Sequence, residues 1–141
     1  MVTDARGGSG GTGTHSLPLI LARELAANLA TPMFLIDADG MLVYFNEAAE
    51  LMLGRSFGEV GPLTANEFGN RLQLAELDGR PMRRRDSPAG VAFLRRQPSH
   101  RSVLATSLDG NRRPFEVTAY PLFGKVGEMH GVLTVFWEAV T

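Results

Sequence analysis

The chain of 141 residues has an ordinary globular composition, with 44% hydrophobic residues, 21% charged residues and a net charge of −1. It contains no cysteine, which excludes disulfides, thiolate metal sites and any chemistry that needs a sulfur nucleophile. The apolar stretch over residues 17–21 is far too short to span a bilayer. We therefore expect one soluble, cytoplasmic domain.

The first thirty residues fall into two segments. Residues 1–15 are rich in Gly, Ser and Thr without apolar periodicity, so they are predicted to form a flexible tail. Residues 16–30 are predicted to form an amphipathic helix that Ser16 caps and that ends before Pro32. Its apolar stripe consists of leucines spaced four residues apart, namely Leu17, Leu21, Leu25 and Leu29.

The next segment predicts a β-hairpin followed by a helix. Two apolar strands over residues 33–36 and 41–45 flank an Asp-Gly turn at 39–40, where glycine accepts the positive φ of a tight turn. Asn46 then caps a helix over residues 47–53.

The signals are weaker between residues 55 and 86, where a short helix is expected around 64–70. Ser87 and the proline after it begin another helix, which Pro98 ends. Three strands follow, over residues 102–108, 114–122 and 132–137. Tight turns between strands imply antiparallel pairing. The predicted fold is α+β, with a five-stranded antiparallel sheet, helices packed on one face and the N-terminal amphipathic helix.

Several of these pieces also occur as motifs in a fixed order. The first is the hairpin with the capped helix Asn46-Glu47-Ala48-Ala49-Glu50 and Gly54 after it. The second is Leu77-Asp78-Gly79-Arg80-Pro81, followed by Asp86-Ser87-Pro88. The third is Asp109-Gly110, then Tyr120-Pro121-Leu122, then Gly131 to Phe136. In this order and spacing the chain resembles the Per-Arnt-Sim (PAS) family, as found in bacterial sensors. The resemblance assigns residues 31–141 to a PAS domain. It implies a non-enzymatic sensor or adaptor that passes a signal through protein contacts.

The chain departs from the family pattern in two places. Many bacterial members end the last strand with Asp-Ile-Thr, where this chain has Glu138-Ala139-Val140 and then Thr141. Two interpretations stay open: the sequence is a piece that lacks its effector domain, or the protein acts by docking onto a signalling partner. In addition, Gln97 and Pro98 replace a glycine that often follows the central helix.

PAS relatives can enclose a small molecule between the sheet and the middle helices. Apolar walls with few polar groups are the general pattern of such pockets. The candidate ligand-binding residues are Phe68, Leu72, Val91, Leu94, Phe115, Val117 and Phe136. The alternative is a ligand-free scaffold, in which the same side chains fill the core and the domain serves only for dimerisation or docking.

The strands of the sheet are apolar on both faces, so both faces need a cover. The middle helices cover one face, and the helix over 16–30 is expected to cover the other. We predict a homodimer, with candidate interface residues Leu17, Leu21, Leu25, Leu29 and Trp137. The alternative is a monomer whose own helix folds back onto the sheet.

Other chemistry finds little support in the sequence. A cysteine-linked flavin or chromophore is excluded, and haem has a single weak candidate ligand, His100, which reads more simply as a surface histidine. No histidine spacing fits a zinc site. Ser87 and Ser99 are interpreted as cap and turn residues, so no catalytic site is predicted. The arginines, concentrated at 83–85, are interpreted as solvated charges, and nucleic acid is disfavoured as a partner.

Overall fold

The computed structural model describes residues 17–139. The predicted tail over 1–15, the predicted cap Ser16 and the last two residues lie outside this range. The helices are α1 Leu17–Ala27, α2 Glu47–Leu53, α3 Phe57–Val60, α4 Ala65–Leu72 and α5 Pro88–Arg95. The strands are β1 Met33–Asp37, β2 Met41–Phe45, β3 Leu63–Thr64, β4 Ser99–Thr106, β5 Arg112–Phe123 and β6 Met129–Glu138. Short 3-10 turns lie at Arg84–Asp86 and Lys125–Gly127.

The strands form one antiparallel sheet in the order β3-β2-β1-β6-β5-β4. The first and last long strands, β1 and β6, therefore pair in the middle of the sheet. The sequence predicts five strands, and the additional one is β3, which pairs with Met41 and Leu42 of β2. A strand of two residues is too short to show any alternation, so the sequence pattern does not reveal it.

Local signals place the hairpin and the helix after it as predicted. Asp37 closes the β1–β2 turn, because its Oδ1 accepts hydrogen bonds from the backbone amides of Asp39 and Met41 at 2.9 and 3.0 Å. Gly40 follows with φ of 82°. Asn46 caps α2 by accepting from the amide of Ala49 at 3.0 Å.

Capping also explains the helices of the middle region. At the start of α3 and again at the start of α4, a hydroxyl and a glutamate form a reciprocal capping box, Ser56 with Glu59 and Thr64 with Glu67. The sequence pattern predicts α4 but not α3, which has only four residues. Ser87 caps α5, and Pro88 occupies its first turn, as predicted.

Helices α2, α4 and α5 cover one face of the sheet, here called the inner face. The buried residues of the main core come from these helices and from the strands, and include Phe45, Leu53, Phe68, Leu72, Val103, Phe115 and Phe136. A second cluster forms where Ala92 of α5 packs against Ile36, Ala119 and Val132. Both clusters lie on the inner face, which is therefore the core of the domain.

Helix α1 covers part of the opposite, outer face, and it does so with the side that does not carry the leucine stripe. Leu19 and Ala22 pack against Leu35 of β1. The small alanines of α1 allow the helix to approach the sheet closely, whereas the predicted leucine stripe faces away from it. The exposed fractions of that stripe are 65% for Leu17, 59% for Leu21, 53% for Leu25 and 39% for Leu29.

The end of α1 also differs from the prediction. The helix ends at Ala27 rather than near residue 30. The chain beyond it is held by Asn46, whose side-chain amide donates a hydrogen bond to the carbonyl of Thr31 at 2.9 Å. Among residues 17–139, no helix combines the length and the apolar character that crossing a membrane requires.

Candidate functional site

A cavity of about 540 Å³ lies between the inner face of the sheet and helices α4 and α5. Its walls are predominantly apolar. The strands contribute Phe34, Ile36, Val103, Ala105, Phe115, Val117 and Phe136, and the helices contribute Leu53, Ala65, Phe68, Leu72, Ala89, Phe93 and Leu94. A volume of this size lies within the usual range for small-molecule sites.

Phenylalanine rings form a continuous aromatic wall in this cavity. The rings of Phe34 and Phe68 meet edge to face, with centroids 5.3 Å apart. Phe136 lies 6.0 Å from Phe34 on one side and 6.0 Å from Phe115 on the other. Such pairs attract each other by about 0.5–1.5 kcal/mol beyond the burial of their surface. The wall is therefore a stable surface against which a flat apolar molecule can pack.

The hydroxyl groups that line the cavity already have partners in the protein. The Ser87 hydroxyl donates to the carbonyl of Arg84 at 2.7 Å and accepts from the amide of Gly90 at 3.0 Å. The Thr64 hydroxyl accepts from the amide of Glu67 at 3.0 Å. The Ser107 hydroxyl donates to Asp109. These three side chains hold the local backbone, so they are less available for a ligand.

Six of the seven candidate pocket residues line the cavity, namely Phe68, Leu72, Leu94, Phe115, Val117 and Phe136. Leu94 is 64% exposed and therefore lies at the rim. Val91 is not among the lining residues. At 3.6 residues per turn it lies about 160° around α5 from Phe93, whose ring does line the cavity.

Several lining residues are not among the predicted ones, above all Phe34, Ile36 and Phe93. The alternation along β1 contains a usable signal, because Phe34 and Ile36 are two residues apart and must share a face. The first strand reads as apolar on both faces, so its sequence alone does not show which face meets the helices.

His100 lies on the outer face of the sheet and is not among the residues that line the cavity. Its Nε2 is 2.8 Å from Oε1 of Glu116, and its Nδ1 is 2.6 Å from Oγ1 of Thr118. Because both ring nitrogens are engaged outside the cavity, His100 does not fit the role of an axial ligand to a haem held there. Within residues 17–139, no group of three or more His, Asp or Glu side chains is arranged to hold a metal ion.

Glu116 is the centre of this small polar cluster on the outer face. Its Oε2 accepts a hydrogen bond from the hydroxyl of Ser102 at 2.6 Å. This bond holds the pKa of Glu116 below its ordinary value, and the hydrogen bond and charge of His100 act in the same direction. The ring of Trp137 lies beside the cluster, 6.1 Å from that of His100.

The candidate interface residues are all at the surface of the outer face. Trp137 is 42% exposed, and the four leucines of the α1 stripe are exposed as given above. Tyr120 of β5 is exposed to a similar degree, at 44%. The structure therefore places exposed apolar side chains on α1 and on the β5–β6 part of the sheet.

A sequence model of the PAS domain family matches residues 30–138, which include the whole sheet. The chain belongs to the PAS family. PAS domains are generally sensory, non-catalytic modules, and they commonly dimerise and pair with signalling effector domains. A comparison with curated proteins found no match.

Solved structures share this fold, two PAS domains and a photoreceptor among them. The PAS domain of a protein from Colwellia psychrerythraea is 15% identical with a TM-score of 0.61, and the match covers 86% of this chain and 96% of that one. The PAS domain of nitrogen regulation protein NR(II) from Vibrio parahaemolyticus is 19% identical with a TM-score of 0.59, covering 88% and 99%. The light-state dimer of the fungal blue-light photoreceptor Vivid is 20% identical with a TM-score of 0.61, covering 89% and 96%. At these identities the similarity establishes the fold alone.

Proposed function

We propose that this PAS domain is a non-catalytic sensor that binds a small molecule in its cavity, dimerises, and relays the signal through protein contacts. The observation that carries the proposal is the cavity itself. About 540 Å³ of space remains between the sheet and α4 and α5, in a position where the side chains could otherwise have filled the core. Because its walls are mostly apolar with few polar groups, it has the general character of a ligand site.

Strands β1 and β6 give a physical route from the cavity to the outer face. On β1, Phe34 lines the cavity, whereas its neighbour Leu35 packs against α1. On β6, Phe136 lines the cavity and Leu133 packs in the cluster under α1. Successive side chains of a strand point to opposite faces. A ligand that displaces Phe34 or Phe136 therefore shifts the strands on which α1 rests, provided that it binds two packings with different affinities.

A homodimer through the outer face is part of the proposal. Arg23 lies over the ring of Tyr44 of β2, at 4.7 Å from its centroid. Leu25 is about 160° away from Arg23 around α1, so it lies on the flank toward β6 and β5. The leucine stripe and Trp137 would then form one apolar surface, which a second copy could cover. The monomer, in which α1 alone covers the face, is the alternative.

The second candidate function is a ligand-free PAS scaffold for dimerisation or partner docking. The exposed apolar residues of α1 and β6 support it independently of the cavity. In both cases we propose a signalling protein or an effector domain as the partner, and a cytoplasmic location. We also propose the division into a tail over 1–15, a helical segment over 16–30 and the sensor domain over 31–141.

Native mass spectrometry of the purified, untagged protein, with an absorption spectrum of the same sample, tests the proposal. We expect a mass above that of the 15.3 kDa chain. Gly69→Leu serves as the cavity-filling variant, because Gly69 lines the cavity on α4 and a Cβ there meets only Leu74 at 3.8 Å. Gly58→Leu on α3 is its matched control, since Gly58 is helical but is not among the cavity-lining residues.

The two functions give different results in this experiment. For a sensor, the extra mass is lost in Gly69→Leu and kept in Gly58→Leu. A clean mass of the chain or of its dimer in the unchanged protein would contradict ligand binding and favour the scaffold.

A further inference from the structure

Two consecutive arginines lie where the cavity meets solvent. Arg84 and Arg85 belong to the 3-10 turn before α5, and both line the cavity although both are exposed. The ion pairs formed within residues 17–139 use other cations, namely Arg80, His100, Arg101 and Arg113. Arg84 and Arg85 therefore carry positive charges at the mouth that no carboxylate of the described chain neutralises directly.

The rest of the lining does not cancel this charge. Asp39, in the exposed β1–β2 turn, is the one carboxylate among the lining residues, so the ionic groups of the lining sum to a positive charge. The hydroxyls of Thr64, Ser87 and Ser107 are engaged by the protein, as described above. The two guanidinium groups are thus the cationic groups of the lining, and they are free to meet a ligand.

The interior behind the arginines is apolar and aromatic. Five phenylalanines line it, Phe34, Phe68, Phe93, Phe115 and Phe136. A hydrophilic anion would lose its hydration there without replacement, and an apolar amine would be repelled at the mouth. A guanidinium group binds a carboxylate or phosphate with two parallel hydrogen bonds.

We propose that the cavity selects an amphipathic anion, a small molecule with an aromatic or similarly apolar body and one carboxylate or phosphate group. The apolar body packs against the phenylalanine wall, and Arg84 and Arg85 receive the anionic group at the mouth. This inference rests on the proposed ligand-binding function and names the chemical class of the ligand.

The test compares two probes of nearly the same shape, 1-naphthaleneacetate and the neutral 2-(1-naphthyl)ethanol. Isothermal titration calorimetry on the full chain at physiological pH and ionic strength gives the affinities, and amide NMR shifts locate the binding. We expect the acid to bind about tenfold more tightly than the alcohol, as a charge-assisted hydrogen bond at a partly solvated site implies. Both probes should shift the amides around Phe34, Phe68 and Phe136.

Matched charge variants separate the arginines of the mouth from general electrostatics. In Arg84→Gln/Arg85→Gln we expect the acid to lose its preference, while the alcohol binds as before and so reports an intact cavity. Arg83→Gln/Arg95→Gln removes the same charge from neighbouring positions that are not among the lining residues, and it should keep the preference.

The remaining outcomes of these titrations would contradict the anion inference. Equal binding of acid and alcohol in the unchanged protein, or a preference that survives Arg84→Gln/Arg85→Gln, would overturn the anion inference and leave ligand binding standing. If neither probe shifted the amides of the cavity, the anion inference would be contradicted, while the ligand mass in native mass spectrometry would still decide the sensor function.

Discussion

The side chain of Asn46 is bonded to the last turn of α1, because its Nδ2 donates to the carbonyl oxygen of Ala26 at 2.8 Å. The same nitrogen donates to the carbonyl of Thr31 at 2.9 Å, and Oδ1 accepts from the amides of Met33 and Ala49 at 3.1 and 3.0 Å. One side chain, 1% exposed, thus joins α1 on the outer face to β1 and to α2 on the inner face. Asn46 therefore links the two layers that cover the sheet through its hydrogen bonds.

Replacing Asn46 with alanine should destabilise the domain strongly. The change removes the cap of α2 and leaves buried amides and carbonyls without partners, so we expect the free energy of unfolding to fall by about 2–4 kcal/mol. Urea unfolding followed by circular dichroism measures it. Asn28→Ala is the control, because Asn28 makes a single exposed bond to the carbonyl of Glu24. A loss no larger than that of the control would contradict the bridging role of Asn46.

Gly131 at the start of β6 should tolerate no side chain. Its φ is +155°, and an added Cβ would lie 2.3 Å from the carbonyl oxygen of Ile36 on the neighbouring strand. We expect Gly131→Ala to lower the free energy of unfolding by about 3 kcal/mol, from backbone strain together with separation of β1 and β6.

Gly79→Ala provides the comparison for Gly131→Ala. Gly79 also has a positive φ, +93°, but no atom lies within 4 Å of the added Cβ. In Gly79→Ala the free energy of unfolding should fall by about 1 kcal/mol, which measures the cost of the backbone conformation alone. Equal losses in the two variants, determined by thermal and urea unfolding, would show that the contact with Ile36 does not matter.

The proposed dimer depends on the exposed stripe of α1. Leu21→Glu/Leu25→Glu places charges in the apolar surface without touching Leu19 or Ala22, which pack on the sheet. We expect the variant to be monomeric in analytical ultracentrifugation and to keep the stability of its subunit fold. Leu51→Glu, at an exposed position on α2, is the control and should stay dimeric. A stripe variant that sedimented as the unchanged dimer would rule out this interface.

The stability of the outer face should depend on pH through Glu116. Its pKa in the folded state is lowered, mainly by the hydrogen bond from Ser102. The contribution of Glu116 is therefore present above the unfolded-state pKa and is lost as the pH falls through the folded-state pKa. In Ser102→Ala we expect the pKa of Glu116 to rise toward its ordinary value, as followed by carboxyl ¹³C NMR.

Glu59 is an internal reference for that titration. Glu59 lies in α3, and its hydrogen bonds to the capping residue Ser56 lower its pKa. Because Ser102 takes no part in these bonds, the pKa of Glu59 should not change in Ser102→Ala. If the pKa of Glu116 stayed where it was in Ser102→Ala, the hydroxyl would not be the cause of the shift.

Several features of this protein followed from the sequence because their causes are local. Strand β2 and helix α2 have the predicted bounds. An Asp-Gly turn precedes β2, and the cap Asn46 begins α2. The six candidate pocket residues that line the cavity are large apolar side chains on elements whose inward face the pattern indicates. The order of these elements was enough to indicate the family.

The tertiary structure decided what depends on a distant partner. The two-residue strand β3 exists because β2 offers it an edge. Helix α1 packs on the sheet with the side that carries Leu19 and Ala22, because the small Ala22 allows close approach, although the leucine stripe is the stronger pattern. Val91 does not line the cavity, because the packing of Ala92 against Ile36 and Val132 sets the rotation of α5 about its axis. A sequence specifies turns, caps and periodicity over a few residues, whereas the face that a helix buries and the space left in a core depend on surfaces far away in the chain.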